Sequence, residues 1–175
     1  MSTHRPLLSL GLGLGLALAF GAGPAFTEPP GAGQPITETD ITAWNIEALP
    51  DGKGLPPGSG TAAQGAAIYA QKCEACHGKD GEGGRNATLA NAAGKSGRTM
   101  ALYVPNATTI FDFTRRAMPW PQPKSLTSDE VYALTAYILA RNKVIGDNET
   151  MNAETLPKVQ MPNRNGFISR YPDKH

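Results

Sequence analysis

Hydrophobic positions fall into helical spacing most clearly between residues 128 and 142. Val131, Leu134, Tyr137 and Ile138 recur at steps of three and four, with Arg141 closing the series, which predicts a helix over about Ser128 to Asn142 with one apolar face. Thr127, followed three residues later by Glu130, forms a capping box that would start it. An earlier helix is predicted from about Ala62 to Cys73, Ala-rich and with Thr61 able to cap it. Gly65 and Tyr69 lie four apart, on one face of that helix. An interior glycine costs about 1 kcal/mol relative to alanine, so Gly65 predicts the close approach of another helix. A third, short helix from about Thr109 to Ala117, capped by Thr108 or Thr109, ends at the prolines 119, 121 and 123.

The rest of the chain is less periodic. Leu7 to Phe20 is an uncharged run of Leu, Gly and Ala, preceded by Arg5 and followed by the small residues Gly23 and Ala25. This is the pattern of an export signal over residues 1–25, cut after Ala25, and it implies a periplasmic location. The run is short for a bilayer span, and charges or prolines interrupt every later apolar stretch, so no span is expected in the mature chain. Residues 26–60 read as an extended arm broken by Pro29-Pro30, Pro35, Pro50 and Pro56-Pro57. Within the arm, Ile41 to Ile46 (ITAWNI) has strand-like residues, and Trp44 is expected to pack rather than face solvent. Residues 78–107 are loop-rich, and residues 144–175 form a tail of little periodicity, expected to wrap over the surface of a domain spanning 61–143.

Composition adds two constraints. The 20 glycines and 15 prolines make up a fifth of the 175 residues, high for a regular globular protein but below the level of a disordered polymer. A large rigid ligand at the centre would help such a loop-rich domain hold together. Loss of residues 1–25 removes Arg5 and no acid, which leaves 15 basic and 15 acidic residues. A formally neutral chain gives no reason to expect a nucleic-acid partner.

The chemistry is concentrated in Cys73-Glu74-Ala75-Cys76-His77, a C-x-x-C-H sequence, the attachment signature of c-type haem. Two thiols three positions apart at the end of a helix can reach the two vinyl groups on one porphyrin edge. The next residue's imidazole then lies under the iron. Zinc wants four ligands, and the other histidines are His4, in the signal, and His175, at the end of the chain. A thioredoxin-like pair should open a helix, whereas this pair closes one. A plain disulfide would leave His77 without a role.

With no second useful histidine, methionine is the natural sixth ligand, because a thioether favours ferrous iron. Of Met100, Met118, Met151 and Met161, Met118 is favoured by its position between a short helix and three stiffening prolines; Met161-Pro162 is the rival. Arg115 or Arg116 is a candidate partner for a haem propionate, Trp120 is expected to pack, and Lys72 and Glu74 to face solvent.

Gly65, Tyr69, Cys73, Cys76, His77, Met118 and the Tyr132–Tyr137 helix together resemble the class I cytochromes c over about residues 60–143. Three longer stretches extend the likeness: AWNIEALPDGKGLPPGSGTAAQGAAIYAQKCEACHG, RRAMPWPQPKSLTSDEVYALTAYIL and MNAETLPKVQMPNRNGF. They resemble the cytochrome subunits of bacterial sulfur-compound dehydrogenases, the SoxD-type partner of SoxC-type catalytic subunits and the related sulfite dehydrogenase cytochromes. The resemblance implies an all-α class I cytochrome c fold with extended, loop-rich N- and C-terminal arms, and one covalent haem c. It also implies an electron-transfer subunit with no catalytic residue of its own. Electrons would come from a molybdenum-containing subunit oxidising sulfite or protein-bound sulfane sulfur, and would leave to a downstream cytochrome. Some SoxD-type proteins carry a second haem; this chain has one C-x-x-C-H. The alternative is a freely diffusing cytochrome serving a terminal oxidase or another dehydrogenase.

Overall fold

The computed structural model of the chain describes residues 33–91, 99–168 and 170. Residues 1–37 and 38–175 are separate compact units. In the first, the described residues 33–37 have no regular structure, and the expected export signal over 1–25 lies outside the described residues. The regular elements among the described residues all belong to the second unit.

Its elements in chain order are helix α1 (Glu38–Trp44), strand β1 (Ser59–Thr61), helices α2 (Ala62–Lys72), α3 (Glu74–His77), α4 (Met100–Tyr103), α5 (Ala107–Ala117) and α6 (Ser128–Arg141), and strand β2 (Thr150–Asn152). Single 3-10 turns lie at Lys79–Gly81 and Leu156–Lys158. The arm residues expected as strand-like form α1 instead. Glu38 and Asp40 sit in its first turn, where carboxylates suit the helix dipole, and the Thr42 hydroxyl donates back to the Glu38 carbonyl at 2.8 Å. A strand needs a neighbour to pair with, and alternation alone supplies none.

α6 is the axis of the fold. Its amphipathic spacing predicts one buried face, but all ten residues from Val131 to Ala140 are buried. The reason lies in what covers it: α2, α5, β1 and β2 all pack against it. Ala133, Ala136 and Ala140 let neighbours come close, and the buried Thr135 hydroxyl is satisfied by the Val131 carbonyl at 2.7 Å. The tightest approach is to α2. A Cβ on Gly65 would collide with the Ala133 carbonyl, so the glycine is required by the packing, as its cost in a helix implied. Tyr69 and Tyr137 stack at this contact with centroids 5.0 Å apart, and Phe111 of α5 meets Tyr132 at 4.5 Å.

The expected capping box on α6 closes, and Thr61, expected as a simple cap, turns out to head a second one. Thr127 accepts from Glu130 N–H, and the Glu130 carboxylate accepts from Thr127 N–H at 2.8 Å. Thr61 and Gln64 repeat the arrangement on α2. α5 starts two residues earlier than expected, with Asn106 in the cap position.

The tail does not merely wrap the surface. β2 pairs antiparallel with β1, Gly60 facing Met151, and Met151, Leu156, Val159 and Met161 join the buried cluster that contains Ile110, Phe111 and Leu139. The arm likewise sends Ala48 and Leu55 against that cluster, and Tyr132 Oη donates to the Pro56 carbonyl at 2.9 Å.

Candidate functional site

α2 ends at Lys72, and Cys73 caps it, its N–H bonded to the Tyr69 carbonyl at 2.9 Å. The chain then makes the single turn of α3. Cys76 N–H and His77 N–H both bond the Cys73 carbonyl, at 3.1 and 3.0 Å. Two thiols and an imidazole are thereby fixed on one turn. Gly78 stops that turn at φ +83°, where a Cβ would collide with the Glu82 carbonyl; the left-handed backbone is cheap only for glycine.

His77 Nδ1 lies 2.8 Å from the Ala87 carbonyl. A carbonyl only accepts, so Nδ1 carries the proton and the lone pair is left on Nε2. Tyr69 Oη donates to the Gly78 carbonyl at 2.9 Å. Burial, with a smaller push from Cys73, raises the Tyr69 phenol well above its ordinary value, so it remains a neutral donor. Burial also pushes the Cys73 thiol up to about 11, against the pull of the Lys72 ammonium. The two cysteines are not bonded to one another.

These side chains open onto a cavity of about 360 Å³, within the range of about 300–1,000 Å³ usual for cofactor and small-molecule sites. Cys73, Cys76 and His77 line one side. Met118 lines it from the C-terminal end of α5, where its N–H bonds the Thr114 carbonyl at 3.1 Å. Leu134 and Ile138 of α6, with Ala87, Leu89, Met100 and Phe113, make apolar walls, and Pro119, Trp120 and Pro121 complete the lining. The four residues singled out by sequence are thus brought together around one space. Met161 is not among its lining residues; at 4% exposure it belongs to the core.

Comparison with known proteins agrees with this geometry. Residues 60–138 match the family model of cytochrome c oxidase, cbb3-type, subunit III. No curated protein matches the chain. Among solved structures, the chain is similar to the crystal structure of the sulfane dehydrogenase SoxCD from Paracoccus pantotrophus, at 35% identity and a TM-score of 0.70, over 83% of this chain and 73% of that one. The chain belongs to the c-type cytochromes of the SoxD kind. The cytochrome is an electron-transfer protein with the class I fold and one covalently attached haem c.

The cavity of the cytochrome fits that group. Two free thiols stand on one turn, the His77 imidazole has its Nδ1 proton fixed by a carbonyl, and a thioether shares the same apolar space. Sequence reasoning placed other side chains less well. Arg115 and Arg116 do not line the cavity: Arg115 Nη1 donates to the Ile46 carbonyl at 3.0 Å, and Arg116 pairs with Asp112 at 2.8 Å. Trp120, expected to pack, is 79% exposed at the cavity's edge, and Trp44 is 75% exposed. Lys72 is exposed as expected, yet it lines the cavity and donates to Glu130 Oε1 at 2.6 Å. Met100 and Phe113 also line it. No motif announces them, because their place depends on how α4 and α5 pack. The Ala87 carbonyl carries no sequence signal at all.

Proposed function

We propose that this cytochrome is the electron-accepting subunit of a periplasmic sulfite or sulfane-sulfur dehydrogenase. The observation that carries the reading is the likeness to SoxCD over 83% of the chain at 35% identity, which reaches well beyond the segment of the cbb3-type family model. The catalytic subunit would hold molybdenum, and a downstream cytochrome would receive the electrons. Oxidation of sulfite to sulfate releases two electrons and one haem stores one. Each sulfite turnover therefore needs two transfers through this chain, and full oxidation of a sulfane sulfur needs six, with an acceptor beyond it.

In this reading Cys73 and Cys76 would hold the haem through thioethers, and His77 Nε2 and Met118 Sδ would hold its iron. Bound there, haem c supplies reversible one-electron chemistry. The chain's own residues do the rest. The Ala87 carbonyl holds the His77 ring in one tautomer and orientation, a contact that raises ligand basicity. Met118 supplies a soft sulfur that favours the reduced state. Leu89, Leu134 and Ile138 exclude water from the space between them. With His77 and Met118 both holding the iron, no position would be left for a substrate, and the cytochrome would perform no bond chemistry.

Purification of the full chain from its own cells at low and high salt tests the assembly. The expected result is co-elution with a larger, molybdenum-containing subunit, and reduction of the haem on addition of sulfite or a sulfane-sulfur substrate. Migration as a lone monomer at every salt concentration, with no reduction by either, would favour the freely diffusing alternative.

A further inference from the structure

Residues 44–48 of the N-terminal arm run beside the element that ends in Met118, and they are fastened on both sides of it. Before Met118, Ala48 N–H donates to Asp112 Oδ1 at 2.9 Å and Arg115 Nη1 donates to the Ile46 carbonyl at 3.0 Å. Asp112 is held in turn by Arg116 at 2.8 Å. After Met118, the Lys124 ammonium lies 3.7 Å from the centroid of the Trp44 indole. Between the two fastenings stand Met118 itself and the prolines 119, 121 and 123. Downstream, Pro56 accepts from Tyr132 of α6, so the segment is anchored to the core at its far end.

We infer that residues 44–48 are a strap that positions Met118 in the haem cavity, with Trp44 of the strap and Arg115 of α5 as the two positioning residues. The physical argument is loop closure. The Met118 loop leaves α5 at one point and returns at Lys124, and the strap ties both points to the same short segment. Confining the ends of a stiff, proline-rich loop restricts where its one cavity-lining thioether can go. Trp44 is otherwise unexplained: a large aromatic side chain left three-quarters exposed and with a cation over its ring. Arg115 is better explained too. A guanidinium that does not line the cavity spends its donor on a backbone carbonyl of the arm.

The inference rests on Met118 being the distal ligand, and the test separates the two. Carbon monoxide competes with methionine for the sixth position of ferrous haem, so its binding rate reads how often the thioether is released. The full-length, haem-loaded protein is compared with Trp44→Ala, Arg115→Gln, Trp44→Tyr and Met118→Ala. Trp44→Ala should speed carbon monoxide binding about two- to five-fold, the ratio corresponding to an exposed cation–π contact. Arg115→Gln should act in the same direction, and Trp44→Tyr, which keeps an aromatic face, should restore the parent rate. The ferric sulfur-to-iron charge-transfer band should weaken in step with the faster rates. Met151→Ala, a core truncation that removes none of the strap's fastenings, is the control: it should lower the melting temperature and leave the rate alone.

If Trp44→Ala and Arg115→Gln lower the melting temperature but keep the parent rate and band, the strap is only structural and the inference is overturned. If Met118→Ala keeps the charge-transfer band, the ligand assignment itself fails, whatever the strap variants do.

Discussion

Two methionines in this chain precede a proline, Met118 and Met161, and at the level of single residues they separate on what surrounds them. Met118 lines the cavity with Cys73, Cys76 and His77, whereas Met161 is packed among Leu156, Val159 and Met151. Met118→Ala should therefore abolish the sulfur-to-iron charge-transfer band and lower the midpoint potential, since the thioether is what favours ferrous iron. Met161→Ala should leave spectrum and potential unchanged and cost about 2–5 kcal/mol of stability, the usual penalty for emptying a buried site. Spectra, redox titration and urea unfolding of the two variants decide it; a lost band in Met161→Ala would reverse the assignment. Residue-level legibility follows the same divide. The C-x-x-C-H spacing is local chemistry and was readable from the sequence. The setting of Met100, Phe113 and the Ala87 carbonyl is tertiary and was not.

Elements follow local rules where local groups satisfy one another. The Thr127–Glu130 box was legible because both partners lie within one turn, and it closes in the structure. Its extra role was not legible: Glu130 also accepts from Lys72, fifty-eight residues earlier, so the start of α6 is tied to the end of α2 beside the haem cavity. The hydrogen bond from Lys72, aided by the Thr127 N–H, holds the Glu130 carboxyl below its ordinary value of 4.5. A carboxyl lowered in the folded state contributes stability that is present above its unfolded pKa and is lost as pH falls through the folded one. Urea midpoints taken from about pH 6 down to about pH 3 should fall less steeply for Glu130→Gln than for the parent. Thr127→Ala should cost about 1 kcal/mol at every pH. Equal slopes for parent and Glu130→Gln would remove the ion pair from the account. Helix α1 marks the opposite case. Its β-branched and aromatic residues suggested a strand, but a strand is decided by a partner elsewhere, and with Glu38 and Asp40 at its start the segment closes as a helix.

For the molecule as a whole, the least legible feature is that the arm from Ala48 onward and the tail as far as Met161 contribute to the core. Low periodicity after Ile145 conceals Met151, Leu156, Val159 and Met161 because Met151 sits on a three-residue strand, Leu156 on a single 3-10 turn, and Val159 and Met161 in the irregular chain after it, all too short to show a period. The haem motif, the Met118 loop and α6 all fall within 61–143, so that segment has the look of a self-sufficient domain. The packing argues otherwise. β2 is the partner of β1, and β1 leads directly into the cap of α2, the helix that delivers Cys73. Removal of residues 144–175 would unpair β1 and expose the face of Ile110, Phe111 and Leu139 now covered by the tail. Each large buried side chain lost is worth a few kcal/mol, against a total stability of about 5–15 kcal/mol for an ordinary domain. A chain ending at Lys143, produced beside a working haem-attachment pathway, should accordingly accumulate little or no red, folded protein. A chain ending at Asn163, which keeps β2 and Met161, should mature as the parent does. If the shorter chain instead accumulated at parental levels, with the parental spectrum and melting temperature, the tail would be dispensable to the fold, and a role on the surface of a partner would be the better account of it.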